Sequence, residues 1–173
     1  MTIITSKQLY INKDFEKAIN DAKGDPTGEE QIDYKMWKQD GKSQPVYRLP
    51  IEYCRYRAEN GRIKTETLTH ATREKKLDDF SSEDQEKIAG FLEKSDPTKN
   101  DELMKSLKSL GQTSPAIITA DGFLINGNRR RWGLNQLFKK HGDRNFNYIK
   151  VVILPGTGHA DAPTHIDIAL LEN

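Results

Sequence analysis

The run Phe123-Leu124-Ile125-Asn126-Gly127-Asn128-Arg129-Arg130-Arg131-Trp132 sets three consecutive arginines behind an apolar stretch and a glycine. The apolar residues predict a strand, Asn126-Gly127-Asn128 breaks it, and a helix is expected from about Arg129 to His141. The first N–H groups of a helix lack intrahelical partners and carry partial positive charge, so they attract anions. Arginines in that turn are unfavourable for the helix by roughly 0.3–1 kcal/mol each. Three of them call for a compensating anion, and a polyphosphate or a nucleic-acid backbone would serve. The plainer alternative is a surface cluster paired with acidic residues elsewhere in the chain.

Other constellations are weaker. Arg55, Arg57, Arg62 and Lys64, interleaved with Tyr53 and Tyr56, suit contact with phosphates or bases, and equally suit an ordinary strand end and loop. Gly156-Thr157-Gly158-His159 has the composition of a phosphate loop without its spacing or its lysine, and reads more simply as a connection. His70, His141, His159 and His165 share no metal-ligand spacing. Cys54 is the single cysteine, which excludes an intrachain disulfide and a multi-thiolate zinc site.

The 173 residues carry 27 basic and 26 acidic side chains, a net charge of +1 that argues against a basic nucleic-acid coat protein. The balance is uneven along the chain. Arg48 to Lys76 holds eight basic and four acidic residues, Asp78 to Glu102 three basic and nine acidic, and Pro115 to Pro155 seven basic and two acidic. A fold that brings the two basic segments together would make an anion site. No apolar stretch is long enough to span a bilayer, and Met1–Leu9 does not read as a secretory signal, so a soluble, cytoplasmic protein without a membrane partner is expected.

The elements that must position the arginines follow from periodicity and punctuation. Residues 1–45 read as an extension, with a helix over Asn12–Ala22, a turn at Asp25-Pro26-Thr27-Gly28, and a strand through Ile32, Tyr34 and Met36 entering a hairpin at Asp40-Gly41. Val46–Ile51 is the returning strand, and Pro50 suggests an edge. Arg55 to Lys76 shows no period and reads as a long loop or a region ordered by a partner. Ser82, with Gln85 three residues on, predicts a capped helix carrying Ile88, Phe91 and Leu92, and a second helix follows from about Asn100 to Leu110 before Gly111. Ala116–Thr119, the Asp121-Gly122 turn and Phe123–Ile125 form a strand pair. Ile149–Leu154 is a buried strand, and a last helix after Pro163 is apolar nearly all round. The fold class expected is α/β (α+β), a small mixed sheet flanked by helices.

Leu49-Pro50-Ile51, Leu107–Pro115, Gly127-Asn128-Arg129-Arg130 and Ala169-Leu170-Leu171-Glu172-Asn173 occur in an order that resembles the ParB/sulfiredoxin superfamily, and in particular the N-terminal domain of ParB-like partition proteins. The resemblance covers roughly Val46–Arg57 and Leu103–Asn173. It implies a domain over 46–173, with a helical acidic insertion at about 62–102, that binds and hydrolyses a nucleotide triphosphate within a larger DNA-transaction protein of partition, regulation or defence. Gly127, Asn128, Arg129 and Arg130 match the box that holds the phosphates, and Gln112 and Ser114 lie in the loop that lines the nucleotide pocket in relatives. Glu172 and Asn173 match a catalytic pair near the phosphates, with Glu172 on magnesium, so the implied cofactor is Mg2+ with CTP or ATP.

The departures carry information as well. Asn128 stands where ParB proteins have glutamate and sulfiredoxins their reactive cysteine, so sulfinic-acid reduction is not expected. Arg131 and Trp132 are exchanged relative to the family order, which aims one arginine elsewhere. Relatives continue beyond Glu172-Asn173 into a DNA-reading module, so the chain is expected to be a fragment of a longer protein with DNA as a partner. The resemblance also leaves room for a homodimer. Alternatives are a non-catalytic DNA-binding module using the arginines on DNA phosphates, or a small-molecule kinase or nuclease of the same superfamily; the lack of a carboxylate cluster disfavours the nuclease.

Overall fold

The computed structural model describes residues 28–31 and 43–155, with Lys17, Asn20, Asp21 and Leu171 in addition. Five strands form one mixed sheet: β1 (Gly28–Gln31), β2 (Ser43–Pro50), β3 (Ala116–Ile118), β4 (Leu124–Asn126) and β5 (Tyr148–Ile153), in the spatial order β1-β2-β5-β3-β4. Four α-helices accompany it among the described residues: α1 (Lys64–Arg73), α2 (Ser82–Ser95), α3 (Pro97–Leu110) and α4 (Asn128–His141). The α/β class with helices flanking a small mixed sheet is the one that the sequence patterning predicts.

Period-two alternation divides the sheet into two faces. Leu49, Ala116, Ile118, Leu124, Ile149 and Val151 join the core under the helices. Val46, Ile117, Ile125, Val152 and Leu154 form a second cluster, with Leu171, on the other. β5 pairs antiparallel with β2 and parallel with β3, so the chain leaves β4, crosses through α4 and returns beside β3. β2 lies between β1 and β5 and is not the edge strand that Pro50 suggests; β1 pairs with Ser43–Val46 and β5 with Tyr47–Pro50, so Pro50, which cannot donate to a ladder, sits where only β5 is its neighbour. The hairpin partner of β2 is Gly28–Gln31; Gly28, read as part of a turn, opens that strand. Ile32, Tyr34 and Met36 lie outside the described residues, as does most of the predicted Asn12–Ala22 helix. So do residues 156–170, including the loop at Gly156–His159 and most of the last helix.

The segment read as irregular between Arg55 and Lys76 contains α1. Its period is masked because Thr67, Thr69 and Thr72 turn their hydroxyls to helix carbonyls at 2.8–3.1 Å, leaving Thr67 as the buried residue of the helix. The next helix starts one residue earlier than the capping pattern suggests. Ser81 is the N-cap, accepting from Asp84 N at 3.3 Å, and Ser82 is the first helical residue. Gln85 is therefore not part of a capping box. Its Oε1 accepts from Tyr56 N at 2.8 Å, and its Nε2 donates to the carbonyls of Tyr56 and Asp79 at 2.9 Å each. α3 likewise begins at Pro97 rather than Asn100, because Asp96 caps it by accepting from Lys99 N at 3.1 Å. Asn100 instead donates Nδ2 to the last carbonyls of α2, those of Leu92 and Glu93.

α2 and α3 both pack on α4. Ile88 and Leu92 of α2 are fully buried, each contributing about 1.5–3 kcal/mol. α3 reaches α4 at Gly133, where a Cβ would come within 2.9 Å of Leu107 Cδ1. Among the described residues no helix is long and apolar enough to cross a membrane.

Gln85 joins α2 to the segment that leaves β2, and its removal would strand backbone groups of Tyr56 and Asp79. Gln85→Ala should destabilise the fold by about 2 kcal/mol and lower the melting temperature by about 4–8 °C. Exposed Glu86→Ala should stay within about 2 °C of wild type in the same calorimetric scan.

Candidate functional site

The β4–α4 junction is built on Gly127. This residue has φ 96°, ψ 12°, a left-handed conformation that side-chain-bearing residues rarely adopt. It also passes so close to β3 that a Cβ on it would lie 2.5 Å from Ala116 Cβ and 3.2 Å from Ala116 Cα. The Gly127 carbonyl then accepts the first helical bond, from Arg131 N at 2.9 Å. Asn128 follows as the first helical residue, 3% exposed, and donates Nδ2 to the Leu124 carbonyl at 3.3 Å. That bond fixes the orientation of the amide, and leaves Oδ1 buried without a hydrogen-bond partner.

The junction opens on a cleft of about 150 Å³ lined by residues 125–130, by Leu103 of α3, and by Asn60 and Arg62 from the loop before α1. The cleft therefore unites Gly127, Asn128, Arg129 and Arg130 with Arg62. No carboxylate is among its described lining residues. Burial, and then the like charge of Arg62, push the Arg129 guanidinium below its ordinary pKa, while Asp96 acts in the opposite sense. Arg130 is aimed by its Nη1, which donates to the Ser114 carbonyl at 3.0 Å.

The remaining candidates have other roles. Gln112 donates Nε2 to the carbonyls of Ser114 and Lys150 at 2.9 and 2.8 Å, and its Oε1 accepts from Lys150 N at 2.7 Å. It straps the α3–β3 loop to β5, and the Ser114 carbonyl joins that strap to Arg130. Neither Gln112 nor Ser114 lines the cleft. Arg131 turns to the far side, donating Nε to the Ile51 carbonyl at 3.2 Å with its guanidinium 4.1 Å from the Tyr56 ring centroid. Arg55 lies over the Phe80 ring at 5.5 Å, its backbone bridging to Phe123, and Arg57 is 3.9 Å from Glu59. Neither Arg55 nor Arg57 lines the cleft. Cys54 is fully buried, and burial pushes its thiol up to about 12, too high for a thiolate nucleophile near neutral pH.

Glu172 and Asn173 lie outside the described residues. Their neighbour Leu171 is helical and fully buried, and its carbonyl accepts from Asn126 Nδ2 at 3.2 Å, one residue before Gly127. Among the described residues no group of three or more His, Cys, Asp or Glu side chains could hold a metal ion. The cleft also contains residues that the arginine motif does not reveal, Asn60 and Leu103. Of these, Asn60-Gly61 carries a legible signal, because the Asn-Gly dipeptide marks a turn.

Comparison with family models, curated proteins and solved structures finds no match to this chain.

Gly127 and Gly111 both have positive φ, 96° and 71°, but a Cβ at Gly111 would meet nothing within 4 Å. Gly111, at φ 71° and ψ −163°, lies in a region open essentially only to glycine, so Gly111→Ala should cost about 1–3 kcal/mol from backbone strain alone. Gly127→Ala should cost about 2–4 kcal/mol, because overlap with Ala116 adds to the strain. Denaturant midpoints of the two variants measure the difference.

Proposed function

We propose that this chain binds a nucleoside triphosphate at the β4–α4 junction and promotes its hydrolysis, as a ParB-like domain of a larger DNA-transaction protein. The observation that carries this reading is a cleft at a helix start whose described lining holds guanidinium groups and no carboxylate. Arg129 and Arg130 neutralise the phosphates with charge-assisted hydrogen bonds, and the first N–H groups of α4 add their partial positive charge. Positioning and charge neutralisation are the main requirements of phosphoryl transfer. The resemblance assigns magnesium to Glu172, and water placement to Glu172 and Asn173. Magnesium bound with the phosphates would add to their neutralisation. A second reading draws on the same guanidinium groups: a non-catalytic module in which they meet DNA phosphates.

Titration calorimetry with CTP, ATP and GTP in the presence of magnesium should show saturable binding. Arg129→Ala should weaken it roughly 10- to 150-fold, the equivalent of about 1.5–3 kcal/mol for a hydrogen bond to a charged group. No binding of any of the three would overturn the proposal. Duplex-DNA affinity that falls steeply with salt and is lost on Arg130→Ala, without nucleotide binding, would establish the second reading. Labelled nucleotide separates the activities: free phosphate marks a hydrolase, and a phosphorylated acceptor marks a small-molecule kinase.

A further inference from the structure

Arg62 comes from the segment for which the family resemblance provides no counterpart, yet it lines the same cleft as Arg129 and Arg130. Its backbone is fixed on both sides. Asn60, 8% exposed, accepts from Arg62 N through Oδ1 at 2.9 Å, donates its own N–H to the Arg57 carbonyl at 3.2 Å, and accepts from Ile63 N at 3.1 Å. Ile63 is fully buried, and Ala58 N donates to Asp79 Oδ1 at 2.9 Å. The loop thus presents Arg62 without having to order itself around a ligand, which removes a conformational cost of binding.

Arg62 and Arg129 line one small cleft from opposite elements and oppose each other as like charges, with Asp96 acting on Arg129 in the other sense. The helix start adds partial positive charge. A single phosphoryl group carries about −1.5 to −2 charge at neutral pH. At the helix start it engages one side of this opposed pair, whereas a chain of phosphates can reach both guanidinium groups.

We infer that Arg62 is a third phosphate-binding residue of this cleft, and that it selects ligands by the number of linked phosphates, favouring an oligophosphate over a monophosphate. The inference rests on the proposed anion site but not on the ligand being a nucleotide. Arg129 and Arg130 hold the phosphates nearest the helix start, and Arg62 adds binding when the phosphate chain is long enough to reach it.

The test compares full-length wild type with Arg62→Gln in titrations with CTP, CDP, CMP and inorganic tripolyphosphate. Wild type should bind CTP and tripolyphosphate at least tenfold more tightly than CMP. Arg62→Gln should lose most of that ratio while its CMP affinity stays within about threefold of wild type, and its ligand-free melting temperature should be unchanged within about 2 °C, as for other exposed substitutions. If wild type binds CTP and Arg62→Gln keeps the full triphosphate-to-monophosphate ratio, the Arg62 inference falls and the nucleotide reading stands. If tripolyphosphate binds in an Arg62-dependent way and the nucleotides do not, the nucleotide reading falls and Arg62 keeps its role. If wild type binds neither, or binds duplex DNA that tripolyphosphate cannot displace, both fall.

Discussion

The contact between Gly127 and Ala116 is the constraint on which the rest of this site depends. β4 must turn into α4 directly beside β3, and the backbone does so in a left-handed conformation with no room for a Cβ. Once that turn is set, the directions of the three arginines follow from helix geometry, because successive residues are about 100° apart around the axis. Arg129 and Arg130 line the cleft, while Arg131 is carried round to the Ile51 carbonyl and the Tyr56 ring, tying α4 to the end of β2. One run of identical residues therefore has two kinds of role, cleft-lining and structural.

Like charges meet at this junction, and Asp96 acts on Arg129 in the opposite sense. Arginines at the positive end of a helix dipole are unfavourable, partial burial of Arg129 adds to that, and Arg62 brings a further like charge. The surroundings hold the charges in place: Gln112 straps the loop that supplies the Ser114 carbonyl to Arg130, and Asn60 anchors the turn that carries Arg62. An arrangement held in this way would need little reorganisation to receive the anion proposed above. Of the acidic segment, Asp96, the N-cap of α3, acts on Arg129 against the like charge of Arg62. Asp84, the buried acid of α2, accepts from Asp78 N and from Lys87, and those hydrogen bonds hold its carboxyl below the usual carboxylate range.

Much of the fold was legible because it rests on local chemistry. The β3–β4 pair, the long helix after the glycine, Gly111 and the buried β5 strand follow from apolar runs and turn residues. Errors arose where polar side chains made local bonds that hide a period, as the threonines do in α1, or where two equivalent residues stood side by side, as with Ser81 and Ser82. Gln85 has capping-box spacing, but its amide finds better partners in Tyr56 and Asp79, which are distant or non-helical in sequence.

By itself, the sequence determined that an arginine-crowded helix follows a glycine turn, since both depend on neighbouring residues. The tertiary structure decided which arginines meet. Arg62 joins Arg129 and Arg130, whereas Arg55 and Arg57, read in the same pattern as Arg62, lie over Phe80 and beside Glu59. The physical reason is that the anchoring of Asn60 and Ile63, together with the packing of α2 and α3 on α4, sets where that loop lies. Those contacts join residues far apart in the chain, where no local pattern records them.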